Sequence, residues 1–534
     1  MGLIVQKHSF TFNPTLRLLA CCQLAFLSGC GGDPDQEDLM DTAAGDYADE
    51  SYGEDFGIAE IAENLGTGGV TCVVSGVAPA QIITFVVDDS KTLLISKKLL
   101  AGAVVATTQP LLINGGAISC AGVDAPTSAM QIVVNRQNAP IQRATVILDY
   151  MGGVFSVGSA TAVGVDLSAL LGADVVKIRA TKAADAFTVG GGGLGVDAGY
   201  LADIKLPGKA TTFQLALGAG ADVFSTAGGV GLVAVNTVGA QYAGTEVWEV
   251  SGGAGADVFK AAVATDGMQK YIGGDDADTV DYGLRSWPVH ITTAGAMADD
   301  GEGGEKDNVA DDIETVKGGF KDDVIDCTGS APTVPAGTIG KIVYGGAGAD
   351  ILTGSAYVDT LNGDAGDDIL DGGLGDDKEL GGTEDDTFYQ GTLKNGADTL
   401  TGGGGVDTVS YVDRNDLVAI ITVNLLVAKE DGEPSENDDV TGADVENVTG
   451  SLTMKNVLTG SALNNVLVGG NSADTILGGL GDDTIVGGAG VDTLSGEAGD
   501  DTIESGAQAD IVDCGLGDDL LLDVPTGSVT GCTW

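Results

Sequence analysis

Histidine is almost missing from this chain, which has 2, His8 and His290. Basic residues are also scarce, 24 against 78 acidic ones, leaving a formal charge of −54. Aromatic side chains make up 5% and there are 12 prolines. Each shortage removes a class of function. A single histidine beyond the first thirty residues cannot build an HExxH zinc site, and no GxSxG nucleophile elbow occurs. Without a basic face the chain is unsuited to phosphate backbones, so nucleic acid is not an expected partner. Few aromatics leave little for a sugar platform, and among so many acids no pair stands out for glycoside chemistry. No three-residue glycine period marks a collagen, and helical periodicity is hard to find. Beyond the N-terminus no apolar run is long enough to cross a membrane. Yet hydrophobic residues reach 43%, too many for a disordered acidic tail. The charge therefore sits on a folded body whose self-repulsion calls for counter-ions.

Glycine, at 86 residues, is about twice as frequent as usual. Most of that excess belongs to a repeat. From Gly460 to Leu522 the chain reads GSALNNVLV, GGNSADTIL, GGLGDDTIV, GGAGVDTLS, GEAGDDTIE, SGAQADIVD and CGLGDDLLL. Position six is an acid or its amide throughout: Asn465, Asp474, Asp483, Asp492, Asp501, Asp510 and Asp519. Position eight is always aliphatic, from Leu467 and Ile476 to Val512 and Leu521. An earlier block runs from Gly345 to Ser410 with one three-residue slip, and its sixth positions are Asp350, Asp359, Asp368, Asp377, Asp386, Asp398 and Asp407. One copy departs at position eight, where Glu379 replaces the apolar residue and should weaken packing in one coil.

The spacing has a physical reading. Glycines at positions one, two and four allow positive φ and let carbonyl oxygens turn inward. Positions seven to nine form a very short strand whose alternation sends position eight into the core. Stacked at the parallel-strand spacing of roughly 4.8 Å, position-six carboxylates two repeats apart come within reach of one another. A hard divalent cation taking six to eight oxygens resolves their repulsion. Calcium suits such turns better than magnesium, which demands strict octahedral geometry. Zinc and copper prefer His or Cys, which these turns lack. A glycine-rich solenoid without metal would explain the glycines and position eight but not the acid at position six. Asn465, and Asn456 in the less regular SLTMKNVLT, remove a charge and should weaken affinity nearby.

The phrase resembles the G-G-x-G-x-D-x-U-x nonapeptide of RTX, or hemolysin-type, calcium-binding repeat proteins. The resemblance covers 345–522 closely and 192–330 loosely. It implies an all-β fold: a right-handed parallel β-roll, or β-solenoid, with two nonapeptides per coil. It also implies several bound Ca2+ ions held by the thirteen aspartates named above. Charge count places their affinities nearer the millimolar extracellular regime than the cytosolic one.

Around the blocks the chain divides further. Residues 1–30 carry Lys7 and Arg17, an apolar run from Leu18 to Leu27, and then Leu27-Ser28-Gly29-Cys30. This reads as a secretory signal. Its end resembles a bacterial lipobox, which implies cleavage before Cys30 and lipidation of that cysteine; the membrane is then met only through this anchor. Residues 31–69 are an acidic linker. Residues 70–184 suggest a β-rich N-terminal domain with strands at Gln81–Val87, Thr92–Ile95, Gln131–Val134 and Ala144–Leu148, either a sandwich or an irregular start to the solenoid. Residues 185–344 hold degenerate copies (GGLGVDAGY, LGAGADVFS, GGAGADVFK, GGDDADTVD) and a first acidic insertion. These copies lie apart in sequence, lack a partner turn, and are not counted as metal sites. Block one spans 345–411, a second insertion 412–450, block two 451–522 and a C-terminal cap 523–534.

The insertions share an order of elements. Tyr282, Arg285, Asp300-Gly301-Glu302, Asp307-Asn308-Val309 and Asp312-Ile313-Glu314 correspond to Tyr411, Arg414, Asp431-Gly432-Glu433, Asp438-Asp439-Val440 and Asp444-Val445-Glu446. A solvated acidic loop is the expectation here, ahead of an additional calcium site. In an oxidising compartment Cys72 should pair with Cys120 and Cys514 with Cys532. Cys327 is left over, either buried and inert or open to intermolecular pairing. His290 reads as a surface strand residue. The expected protein is an exported, cell-surface or extracellular calcium binder with a structural or adhesive role and a cell-surface or matrix glycan or protein as candidate partner. The alternative is a secreted hydrolase or toxin that uses the repeats as a calcium-dependent folding module; no catalytic motif supports it.

Overall fold

The structure, a computed structural model, describes the chain from Val70 onward. Coverage is interrupted up to residue 246. From Val247 to Thr533 it is nearly continuous, with short gaps at 264–267, 294–298, 330–339, 417–418, 428, 441–443 and 524. The signal, Cys30, the acidic linker and the Cys72–Cys120 pairing lie outside the residues whose side chains are described. Among the described residues all regular secondary structure is strand, as the sequence predicts.

Two nonapeptides make one coil, and successive repeats feed opposite walls. One wall stacks Thr315–Lys317, Ile342–Ala347, Thr360–Ala365, Lys378–Thr383, Thr399–Gly404 and Asp439–Val440 in parallel. The facing wall stacks Val324–Asp326, Ile351–Thr353, Ile369–Asp371, Thr387–Tyr389 and Thr408–Ser410. It then continues through Asn447–Thr449 into Val466–Gly470, Thr484–Gly488, Thr502–Glu504 and Leu520–Leu521. At the second insertion the first wall ends. A new sheet replaces it, running from Ile420–Asn424 through Lys455–Thr459, Thr475–Leu480, Thr493–Ala498 and Ile511–Asp513 to Ser528–Thr530. Thr360–Ala365 and Thr475–Leu480 are six residues long, because pairing continues through positions one to three of the next repeat. The strands on the other wall keep closer to the expected length.

Alternation fixes what is inside. In block two Leu467, Ile485, Ile503 and Leu521 stack on one wall and Ile476, Leu494 and Val512 on the other, and all are buried. Each such side chain contributes about 1.5–3 kcal/mol by leaving water. The earlier coils are filled with rings. Phe213 stacks on Trp248 at 4.4 Å between centroids, and Phe259 meets Tyr271 at 5.3 Å. Phe224 and Phe259 occupy position eight of degenerate repeats, so the aromatic core uses the same inward register as the aliphatic one.

Of the two architectures open for residues 70–184, the described strands take the solenoid start. Ile82–Val87 pairs in parallel with Gln131–Arg136, and Thr92–Lys97 with Thr145–Asp149. The latter ladder runs on through Val175–Arg179 to Thr212–Ala219. The degenerate copies are corrected too. Three of the four do have partner turns: Val223–Ser225, Val258–Lys260 and Thr279–Asp281 are direct neighbours, although their sequences are 21 to 35 residues apart, while Gly193–Val196 of GGLGVDAGY pairs antiparallel.

At the far end Cys514 and Cys532 form a disulfide across a sequence separation of 18, tying the last coil to the C-terminal strand. Cys327 is buried and unpaired, and burial pushes its thiol up to about 12, so it is inert rather than available for pairing. Cross-linking a loop of this size is worth about 3 kcal/mol. Replacing Cys532 with Ser should therefore raise amide exchange in Ile511–Asp513 and Ser528–Thr530 while leaving Thr360–Ala365 protected.

Candidate metal centre

All thirteen aspartates named from the repeat fall on two inner ladders, one on each side of the coil. On one side the amide of Asp350 donates to Oδ1 of Asp368 at 2.7 Å, Asp368 to Asp386 at 2.9 Å, and Asp386 to Asp407 at 2.8 Å. The series resumes from Asn465 to Asp483 at 2.8 Å, Asp501 at 2.9 Å and Asp519 at 3.0 Å. On the other side Asp359 donates to Asp377 at 2.7 Å and Asp377 to Asp398 at 2.9 Å. That series resumes from Asn456 to Asp474 at 2.7 Å, Asp492 at 2.9 Å and Asp510 at 3.0 Å. Every one of these side chains is at most 2% exposed. One carboxylate oxygen therefore always belongs to the backbone of the preceding coil, and the other is left to find a partner.

For most it has none. Oδ2 of Asp350, Asp368, Asp377, Asp386, Asp483, Asp492, Asp501, Asp510 and Asp519 is buried without a hydrogen bond. Asp359 and Asp398 differ. Ser355 gives Asp359 both its amide and its hydroxyl, and Asn395 donates its side-chain amide to Asp398 at 2.8 Å. The two asparagine turns are closed as well. Asn465 accepts from the Ser461 amide and donates to the Glu446 carbonyl, while Asn456 accepts from Ser451 and donates back to its carbonyl. These turns satisfy themselves with protein groups, consistent with a weaker pull on a cation.

The orphaned oxygen folds over position one of its own turn. A Cβ built on Gly478 would lie 2.5 Å from Asp483 Oδ2 and 2.7 Å from the carbonyl oxygen of Gly496 in the next coil. On Gly469 it would meet Asp474 Oδ2 at 2.7 Å and the Gly487 carbonyl at 2.6 Å. The reading of position one is thus corrected. Positive φ is found at positions two and four, as in Gly479 and Gly481, while position one is glycine because a carboxylate and a carbonyl already share its space.

Among the described residues no three His, Cys, Asp or Glu side chains converge on one point. A cation here would take one carboxylate oxygen per turn and draw its remaining ligands from inward carbonyls, the mixed all-oxygen set that calcium accepts. The unsatisfied Oδ2 and the carbonyl beside it fit that donor set. When bound, the ion would supply the positive charge that these buried carboxylates lack.

Burial first, and neighbouring carboxylates after it, push these groups up in the metal-free chain. Asp350 and Asp377 are raised to about 8, Asp386 and Asp483 to about 7, and Asp368, Asp398, Asp407 and Asp474 to about 6. Asp492 and Asp501 move in the same direction.

Several ladder members were missed at the sequence level. Asp222, Asp257 and Asp278 continue the series upstream, with Asp222 donating to Asp257 at 2.7 Å and Asp257 to Asp278 at 2.8 Å. Their second oxygens are also orphaned. Asp323 sits in GGFKDDVID, a copy in good register from Gly318 to Asp326. Glu314 and Glu446 accept the ladder bond from Asp278 and Asp407, so each insertion substitutes a longer acid at the sixth position. The phrase itself was the available signal for the aspartates; the two glutamates carry none.

The insertions overturn the expectation of solvated acidic loops. Arg285 and Arg414 are completely buried. Arg414 donates to the Gln390 carbonyl at 2.6 Å and to Asn395, and pairs with Glu436 at 2.9 Å. Arg285 pairs with Glu305 at 2.6 Å. Tyr282 and Tyr411 donate to Asp307 and Asp438, each at 2.9 Å. Asp431 accepts amides from Asn424 and Val440, as Asp300 does from Thr292 and Val309. Arg285 and Arg414 thus offset part of the charge of these buried carboxylates, and amide and hydroxyl donors hold the rest. His290 is exposed on strand Val289–Thr292, as expected.

A second, wetter row lines the turns at position five. There the later coil donates backwards: Asp482 to Asn464, Asp500 to Asp482 and Asp518 to Asp500, each at 2.9 Å.

Fold and turns together define a parallel β-solenoid whose coils are joined through buried, half-satisfied carboxylates. The model of the RTX calcium-binding nonapeptide repeat matches this chain in four copies, at residues 344–379, 394–413, 459–494 and 486–521. The chain carries multiple RTX calcium-binding repeats in its C-terminal region, and calcium binding is the property they confer. No curated protein matches the chain.

The raised aspartates set a direction with pH. Their folded-state values lie above the ordinary value near 4, so the stability they lend is full below about 4 and is lost as pH rises through about 6 to 8. Metal-stripped protein should accordingly melt at a higher temperature at pH 5 than at pH 8, and calcium added at pH 7 should release protons. A higher melting temperature at pH 8 would contradict this. Gly478→Ala should cost calcium-dependent stability, because its methyl group displaces Asp483 Oδ2. Calorimetry with and without calcium reads that loss.

Proposed function

We propose that this protein is an exported, lipid-anchored cell-surface protein in which calcium converts the repeat region into a stiff structural or adhesive rod. One observation carries the calcium-dependence: the column of buried Asp Oδ2 atoms without partners in most of the regular turns. Leaving a buried polar atom unmet costs about 1–3 kcal/mol, and more when the group is charged. Repeated along the solenoid, that cost opposes folding until a cation meets it, so metal binding becomes folding free energy.

Export and anchoring rest on the signal-like N-terminus and its Leu27-Ser28-Gly29-Cys30 end, with the acidic stretch at 31–69 as spacer. The role is non-catalytic. The chain offers one histidine beyond the signal, His290, and it faces solvent on strand Val289–Thr292. An adhesive function would fall to residues 70–184, toward a surface or matrix glycan or protein.

Two measurements test the reading. Circular dichroism of metal-stripped protein at pH 8 should show a β signal that grows several-fold on titration with calcium and not with equal magnesium. An unchanged spectrum would refute calcium-dependent folding. Labelled fatty acid should be incorporated by the wild-type chain in a bacterial host and lost in Cys30→Ala.

A further inference from the structure

Glu379 stands where the other repeats of its block place Leu352, Leu361, Leu370, Phe388, Leu400 and Val409. It is 0% exposed, flanked in the strand ladder by Leu361 and Leu400. Neither carboxylate oxygen makes a hydrogen bond of normal geometry, although the Gly372 amide lies close. A carboxylate in an apolar core is expensive, so its surroundings should show why it is tolerated.

They do. In regular turns the space over the position-one glycine is shared by two oxygens, the turn's own Asp Oδ2 and the position-one carbonyl of the next coil. Gly345, Gly354 and Gly363 in this block, and Gly469, Gly478 and Gly496 in the next, all show the pair. The three-residue slip breaks this arrangement. Asp377 and Asp398 are 21 residues apart, as are Asp386 and Asp407, instead of the regular 18. At Gly372 and Gly381, whose coils precede the slip, no carbonyl of the next coil is among the three nearest atoms. At Gly381 all three belong to Asp386. At Gly372 the third is Glu379 Oε1, 2.9 Å from the position a Cβ would take, with Asp377 Oδ2 at 2.6 Å from that same point.

We propose that Glu379 is a metal-ligating residue, supplying at the Asp377 turn the oxygen that the slip has displaced. A calcium ion there would be held by two carboxylates from one repeat, and the extra charge makes it tighter than its neighbours. The inference rests on the turns binding calcium. It adds that an apparent packing fault is a compensated ligand.

The full-length protein tests it, with calcium as the probe and equilibrium dialysis as the readout beside thermal melts. Glu379→Leu should bind a single calcium ion fewer than wild type and melt higher than wild type once metal is stripped. Glu379→Gln, which preserves shape and one acceptor oxygen, should keep the ion but bind it about tenfold more weakly. Should Glu379→Leu fail to fold, the Glu379→Gln isotherm decides alone. Wild-type isotherms in both variants, with Glu379→Leu raising the melting temperature equally with and without calcium, would overturn the proposal and mark Glu379 as a buried neutral acid. Wild-type protein that takes up no calcium would instead overturn the calcium reading beneath it.

Discussion

The solenoid depends on one hydrogen bond, repeated: the amide of a position-six residue donating to the carboxylate of the residue one coil later. That bond requires an acid in the sixth place, and it draws the carboxylate out of water. Its second oxygen then lies over the first residue of the turn, which leaves little room for a side chain at the glycines that most copies place there. The strands on either side follow, since position seven pairs from the coil that the bond has positioned. Glycine, aspartate and the inward aliphatic residue are thus consequences of a single arrangement. The turns gain order from that bond and retain an electrostatic debt that only a cation or a proton settles.

The two insertions meet the same constraint differently. Each brings its own positive charge, a buried arginine, and spends it on the acids of its own loop. Each also returns to the column with a glutamate in the sixth place. Read as sequence they are acid-rich and suggest exposure, because the arginine precedes its partner by 20 to 22 residues and nothing in the spacing marks the pair. That pairing is legible only in three dimensions.

Much of the rest was legible. An uninterrupted nine-residue period fixes which side chains share a face, so the two walls, the inward ladder and the column of acids followed from Gly460–Leu522 alone. What escaped were relationships that period cannot carry. Degenerate copies 21 to 35 residues apart stack directly, although no nine-residue period joins them in sequence. The need for glycine at position one looked conformational and proved to be steric. Glu379 looked like damage to the core, since nothing in the repeat pattern shows that its carboxylate lies over Gly372.

The inner and outer rows, one donating forward along the chain and one backward, have a mechanical meaning. Both run along the stacking direction, so a pull between the first and last coils loads every interface in series. Because each repeat touches only its neighbours, the strength of the whole is that of its weakest joint. Among the described residues only the last joint is reinforced covalently, by Cys514–Cys532. Under tension the body would part first where the ladder carries amides in place of acids, near Asn456 and Asn465, and leave the terminal coils as an intact fragment.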